Sequence, residues 1–168
     1  MTAHSDTPRL RPATPADGAA YLELVRALAA FEGLEPPDAA AAERLLHDAF
    51  GPRPRYELLL AELGGRVVAY AAFFETYSTF RAQPSLYLED LFVHEGARAR
   101  GIGGLLLSHL GRLALERGCG RFEWTVLDWN ERARNFYRSL GASILSHWQL
   151  CRVDGEALVA LAERARQG

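Results

Sequence analysis

Three stretches of the chain hold residue types that could do chemistry. Arg98-Ala99-Arg100-Gly101-Ile102-Gly103-Gly104 falls where an apolar, strand-like run gives way to a helical period. Free backbone N–H groups and the positive dipole end make a helix start an anion site, and glycine lets phosphate oxygens come close. Arg98 and Arg100 add charge suited to a pyrophosphate or a terminal phosphate. A glycine-rich helix start packed tightly on a sheet would read the same way. The stretch does not match the GxGxxG dinucleotide fingerprint, whose spacing is absent.

In the second stretch, Tyr87-Leu88-Glu89-Asp90-Leu91-Phe92-Val93, two adjacent carboxylates interrupt an apolar strand. That is costly unless they are solvated or paired. Strand alternation points them to opposite faces, and a bulge would change that aim. Glu89 and Asp90 either close ion pairs with arginines at the strand end or line an anionic cleft that draws in a cationic amine and accepts its proton. The third stretch, Trp129-Asn130-Glu131-Arg132-Ala133-Arg134-Asn135-Phe136-Tyr137, holds the chain's only two asparagines. Asn130 suits a helix N-cap, and Ala133, Phe136, Tyr137 and Leu140 recur at helical spacing. Tyr137 is then either a core tyrosine or a hydroxyl donor facing a cleft.

Composition removes several alternatives. The 168 residues suffice for one domain, and 49% hydrophobic with 24% charged residues suits a globular chain with a real core. A formal net charge of −2 excludes nucleic-acid binding through bulk positive charge. All nineteen basic residues are arginine. Without lysine there is no GxxxxGK[ST] phosphate loop and no Schiff-base chemistry. Cys119 and Cys151 offer neither metal-ligand spacing nor a disulfide framework, and the histidines show no paired spacing. A reducing cytoplasm and no metal are therefore expected. No apolar run approaches the roughly eighteen residues of a membrane span, and the polar N-terminus has no signal-peptide core. Residues 1–8 are expected to be disordered.

The elements that must position these residues are legible from periodicity and breakers. A strand is expected at 9–13, then a helix capped by Thr14 with Pro15 first, running to Phe31 and stopped by Gly33. Pro36-Pro37-Asp38 opens a second helix that ends at Gly51-Pro52. Strands at 56–63 and 66–77 flank a Gly64-Gly65 hairpin turn, and another strand covers 85–94. A helix runs from Gly101 to Gly118. A strand at 121–128, a helix at 131–140, a strand at 143–153 and a helix at 156–166 complete the order. This is an α/β fold in a single domain: a mixed, mostly antiparallel sheet with helices on both faces.

Arg98-x-x-Gly101-x-Gly103 at a strand-to-helix junction resembles the Q/R-x-x-G-x-G/A motif of the GNAT acetyltransferases. Asn130-(x)4-Asn135-Phe136-Tyr137-(x)3-Gly141-Ala142 resembles a later segment of the same fold, in the right order. Residues 10–14, Phe31-Glu32, residues 86–93 and residues 129–142 are similar to the spermidine/spermine (diamine) N-acetyltransferases and their thialysine-acetylating relatives. The likeness runs from Leu10 to about Leu161. The chain departs from that branch in its tight Gly64-Gly65 turn, in Phe31 for a tyrosine, in Phe80 near a tryptophan, and in Ala99 for a glycine.

The resemblance implies acetyl-coenzyme A as cosubstrate. It sets Leu91, Phe92 and Val93 beside the pantetheine arm. Arg98, Ala99, Arg100, Gly101, Ile102, Gly103 and Gly104 become the pyrophosphate cradle, with Asn130, Ala133 and Tyr137 also beside the cofactor. Tyr137 corresponds to the general acid. Phe31, Glu32, Glu89, Asp90, Glu123, Trp124 and Thr125 fall around the amine pocket. The implied reaction is direct acetyl transfer to the primary amine of a small cationic substrate: a diamine, a polyamine or a lysine-like amino acid. An alkylammonium has a pKa of about 10.4, so a proton must leave before attack, and Glu89 is the candidate acceptor. Arg81 is the arginine that could meet an amino acid's carboxylate. A homodimer is expected, from the resemblance and from the apolar late strand at 144–150. Two alternatives stand beside this reading: a GNAT enzyme for another amine, such as an amino acid, a drug or a protein N-terminus, and a non-catalytic coenzyme A-binding module.

Overall fold

The computed structural model describes residues 7–165. The chain divides into two compact units, Met1–Thr125 and Val126–Gly168. The first holds β1 (Arg9–Pro12), α1 (Gly18–Glu32), α2 (Ala39–Phe50), β2 (Glu57–Leu63), β3 (Arg66–Ser78), β4 (Gln83–Val93), α3 (Ile102–Glu116) and β5 (Phe122–Trp124). The second holds α4 (Glu131–Ser139) and α5 (Gly155–Arg164). The sheet runs β1-β2-β3-β4-β5, antiparallel throughout except for the parallel β4–β5 pair. Disorder at 1–8 was expected; residues 1–6 lie outside the described residues, and Thr7 and Pro8 precede β1 without regular structure.

Both faces of the sheet are covered. Leu58, Leu60, Tyr70, Ala72 and Phe92 form one face and pack with Tyr21 and Leu24 of α1 and with Leu45, Leu46 and Phe50 of α2 and its end. On the other face, Leu59, Ala61, Ala69, Ala71 and Leu88 are equally buried. The buried stripe of α3 (Ile102, Leu106, Leu110, Ala114) contacts β2, β3 and β4. Arg117, just beyond α3, ties it to the sheet by ion pairs to Glu57 at 2.6 Å and Glu75 at 3.1 Å. The β2–β3 hairpin turns through Gly64 and Gly65, both at positive φ (58° and 78°), as a two-residue turn requires.

Three expectations need correction. Pro15–Asp17 forms a separate 3-10 turn, and α1 proper starts at Gly18. The strand expected at 121–128 is only Phe122–Trp124. Its partner β4 carries a bulge at the residue after the last β4–β5 pair, and a bulge increases twist and ends pairing. The strand expected at 143–153 is irregular, with Leu145, Trp148 and Leu150 all half or more exposed. Among the described residues its unit contains no strand, and a lone strand has no partner for its N–H and C=O groups. The last helix begins at Gly155, one residue early, and Arg166 lies outside the described residues.

One polar cluster sets how α1 enters the fold. Asp17 accepts hydrogen bonds from both guanidinium nitrogens of Arg11 (2.8 and 2.6 Å) and from the backbone N–H and hydroxyl of Thr14 (2.8 Å each). Arg11 also donates from Nε to Glu62 at 2.8 Å, so β1, β2 and the start of α1 share one ion cluster. The Arg11 guanidinium holds the Asp17 carboxyl well below the usual carboxylate range. A depressed folded-state pKa stabilises above the unfolded value, about 4, and that contribution is lost as pH falls through the folded one. Asp17→Asn should therefore cost about 1–3 kcal/mol at pH 7. In urea unfolding the variant and the parent should converge as pH falls below about 4; a constant gap down to pH 2 would assign the loss to packing instead.

Candidate active site

The site in the first unit grows from one irregularity in β4. Ala72 pairs with Asp90 and Phe73 pairs with Leu88, so Glu89 is the extra residue of a bulge. A bulge shifts the alternation by one. Leu88 therefore lies on the face of Phe73 and Ala71, whereas Asp90 and Phe92 lie on the face of Ala72 and Tyr70. Glu89 is exposed and Asp90 is half-buried. Beyond Leu88↔Trp124 no pair joins β4 to β5, so the β4 backbone from Glu89 through Leu91, Phe92 and Val93 runs on without β5 beside it.

Asp90 accepts a hydrogen bond from the Tyr70 hydroxyl at 3.2 Å. Burial, then the charges of Glu89 and Glu32, push its carboxyl up to about 6, while the Tyr70 bond works against them. Glu32 is the last residue of α1, whose C-cap Gly33 has φ 71°. Glu32, Glu89 and Asp90 are thus brought within electrostatic reach of one another. Glu123 is engaged elsewhere, in an ion pair with Arg121 at 2.7 Å. Trp124 closes β5 and stacks on Phe122 at 4.9 Å, and Thr125 follows as an exposed residue. Arg81 sits in the β3–β4 turn, at the opposite end of β4 from Glu89 and Asp90, and donates to the Gly120 carbonyl at 3.4 Å. Strand geometry at about 3.3 Å per residue puts it too far along the sheet to meet a carboxylate beside Asp90.

The loop after β4 forms a concave backbone turn. Ala99 and Gly101 both have positive φ (62° and 75°), and Gly101 is the N-cap of α3. A Cβ built at Gly101 or Gly104 would meet nothing within 4 Å, and the first N–H groups of α3 have no partner within the helix. Ile102 is buried under the turn and Arg100 is exposed. These features fit a pyrophosphate: open backbone donors, no Cβ at Gly101, Gly103 or Gly104, and a dipole of the right sign. Arg98 is used differently from the simplest expectation. Its Nε donates to the Val93 carbonyl at 3.0 Å, and its guanidinium lies over the rings of Phe31 (5.0 Å) and Phe92 (5.7 Å). It joins the end of α1 to the end of β4.

In the second unit, the Asn130 side chain accepts from the Ala133 N–H at 3.1 Å, which is the expected N-cap of α4. The Phe136 and Tyr137 rings meet at a tilt with centroids 5.5 Å apart, and burial pushes the Tyr137 phenol up, keeping it protonated. Neither cysteine has the surroundings of a nucleophile: burial raises the Cys119 thiol, and Cys151 is exposed in the irregular segment.

Known proteins share this fold. The sequence profile of the acetyltransferase (GNAT) family matches residues 22–142. The chain belongs to the GNAT family. By that membership it is an acetyl-coenzyme A-dependent N-acetyltransferase. It is 36% identical over 164 residues to the thialysine N-epsilon-acetyltransferase of Bos taurus, covering 91% of this chain and 96% of that one. It is 43% identical over 108 residues to an L-ornithine N5-acetyltransferase of Arabidopsis thaliana, covering 64% of this chain and 47% of that one. An integron cassette protein from V. cholerae has the same fold, with TM-score 0.79, 25% identity, and coverage of 95% and 99% of the two chains.

Sequence reasoning missed Tyr70, Tyr21 and the Arg98–Phe31 stack. Tyr70 had a signal: a lone phenol in the run Val68-Ala69-Tyr70-Ala71-Ala72, where a buried hydroxyl needs a partner. Three substitutions test the cradle. Ala99→Gly should raise stability by about 0.5–1 kcal/mol in thermal melts, by relieving a left-handed residue that has a Cβ. Gly101→Glu should abolish acetyl-coenzyme A binding in calorimetry, whereas Gly101→Ala, which adds strain but no charge, should retain part of it. Equal binding by the parent and both Gly101 variants would move the cradle elsewhere.

Proposed function

We propose that this GNAT enzyme acetylates the terminal primary amine of a small cationic amino compound, a diamine or a lysine- or ornithine-like amino acid. The observation that carries the reading is the gathering of Glu32, Glu89 and Asp90 where β4 parts from β5, in a chain whose net charge is only −2. Such a field concentrates cations and favours a second positive group on the substrate. The thialysine and ornithine acetyltransferases it resembles, by their names, act on amines of this kind. The short Gly64-Gly65 turn and Phe31 favour a small amine over a long polyamine.

Acetyl-coenzyme A supplies the acetyl group as a thioester, held by the backbone of Ala99, Arg100, Gly101, Ile102, Gly103 and Gly104 and along Leu91–Val93. Glu89, exposed at the bulge, takes the ammonium proton directly or through a water. Tyr137, matched by its motif, donates to the departing sulfur; desolvation keeps its phenol protonated, so a donor is in place as the bond breaks. Asn130 and Ala133 support the cofactor side. The chain acts as one acetyltransferase domain and forms a homodimer, which the exposed Leu145, Trp148 and Leu150 support. Among the described residues no helix is long and apolar enough to cross a membrane.

A panel of spermidine, putrescine, thialysine, ornithine and lysine, read by the mass of one added acetyl group, tests the substrate class. Putrescine and the amino acids should react best. Tyr137→Phe should lower kcat by about 10²–10⁴-fold while the protein stays folded. Glu89→Gln should raise KM more for a dication than for a monoamine. A protein that binds acetyl-coenzyme A but modifies no amine would be a binding module. Sedimentation should show a dimer at micromolar concentration, and a concentration-independent monomer would remove that part of the reading.

A further inference from the structure

Beneath the bulge lies a group of phenols that the reaction described above does not use. Tyr70 is fully buried and Tyr21 is 1% exposed, and their rings meet edge-on at 5.2 Å. The Tyr21 and Tyr56 hydroxyls are 3.2 Å apart, and Tyr56 donates to the Leu45 carbonyl at 2.8 Å. Tyr70 alone among them bonds one of the acidic group, donating to Oδ2 of Asp90. A buried hydroxyl costs free energy unless it is bonded, so tyrosine at this site implies that its partner matters. Among the described residues, Oδ1 of Asp90 takes no hydrogen bond, yet it is not sealed from solvent. One oxygen is held from below and the other is unbonded and reached by solvent.

We propose that Tyr70 is a positioning residue of the amine site: its hydroxyl fixes Oδ2 of Asp90 and leaves Oδ1 to receive the substrate's ammonium, so that Asp90 as well as Glu89 sets how tightly the amine binds. This rests on the proposed function for the identity of the ligand, though not for the Tyr70–Asp90 contact. The groups acting on Asp90 are Glu89 on its own strand, Glu32 from α1 and Tyr70 from β3, and Asp90 in turn acts on Tyr21 and Tyr56. The two carboxylates favour the protonated form of Asp90, and the Tyr70 hydroxyl favours the ionised form. Its midpoint of about 6 makes the charge of Asp90 depend on pH just below neutrality.

The sign of the effect follows. Tyr70→Phe keeps the ring against Tyr21 and removes only the donor, so the Asp90 midpoint should rise, by about 0.5–1 pH unit. The acid limb of kcat/KM should move up by the same amount. At pH 6 that is about a two- to fivefold loss, expressed in the KM of the amine. The loss should shrink above pH 8, where Asp90 is ionised in both proteins, and the KM of acetyl-coenzyme A should be unchanged. Carbon NMR of the Asp90 carboxyl in the full-length protein reads the midpoint directly. In the unsubstituted protein, the Cζ resonance of Tyr70 should titrate in step with it, which needs no variant to fold. A Tyr70 resonance indifferent to Asp90, or a folded Tyr70→Phe protein with the midpoint and acid limb unmoved, would overturn the proposal. Failure of every amine in the panel would instead remove the substrate class, while the NMR titrations would still decide the contact.

Discussion

A single extra residue in β4 is the constraint on which the rest of the site depends. Strict alternation would keep Leu86, Leu88, Asp90 and Phe92 on one face of the sheet. The bulge at Glu89 divides them, placing Leu88 with Phe73 and Asp90 and Phe92 with Ala72 and Tyr70. Both hydrophobic layers are served by one strand in this way. The same defect ends the pairing with β5 after Trp124 and frees the β4 backbone at Leu91–Val93. The carboxylates, the backbone edge and the opening therefore share one cause.

Charge in the cleft is managed by short-range partners. Desolvation makes Asp90 costly to keep ionised, and the charges of Glu89 and Glu32 add to that cost. The Tyr70 hydroxyl offsets part of this from below. Arg98, a cation of the motif, has its Nε bonded to Val93 and its guanidinium over Phe31 and Phe92. Stacking suits arginine, whose planar, weakly hydrated guanidinium tolerates aromatic faces. A cationic substrate would then neutralise acidic charge that the fold leaves in place.

The cradle works by a different logic. It recognises phosphate through backbone N–H groups and the dipole of α3, so its demands fall on conformation and on the absence of side chains. Gly101 meets them without strain, whereas Ala99 holds a left-handed backbone with a Cβ attached. Holding a non-glycine residue there costs stability and persists only where surrounding structure enforces it. Buried Ala97 and Ile102 bracket the loop and supply that enforcement.

Most of the architecture was written locally. Gly33, Gly64, Gly65, Gly101 and Gly118 punctuate the chain at positive φ, and apolar periodicity fixed α1, α2, α3, α4 and four of the five strands within a few residues. The motif residues of the cradle, the Asn130 cap and the adjacent carboxylates were equally visible, because each depends on residue type at short spacing. What only the tertiary structure decided was long-range. Residues 125–128 and 143–153 have strand-like composition, but a strand exists only with a neighbour to bond, and here the neighbour has bulged away or is absent from the unit. The aim of Asp90, the hydroxyl beneath it, the pairing of Glu123 with Arg121 and the stacking of Arg98 on Phe31 each join residues far apart in sequence. A sequence states which groups are present. Which of two faces a carboxylate points to is settled by the register of one strand on the next, a property of the pair.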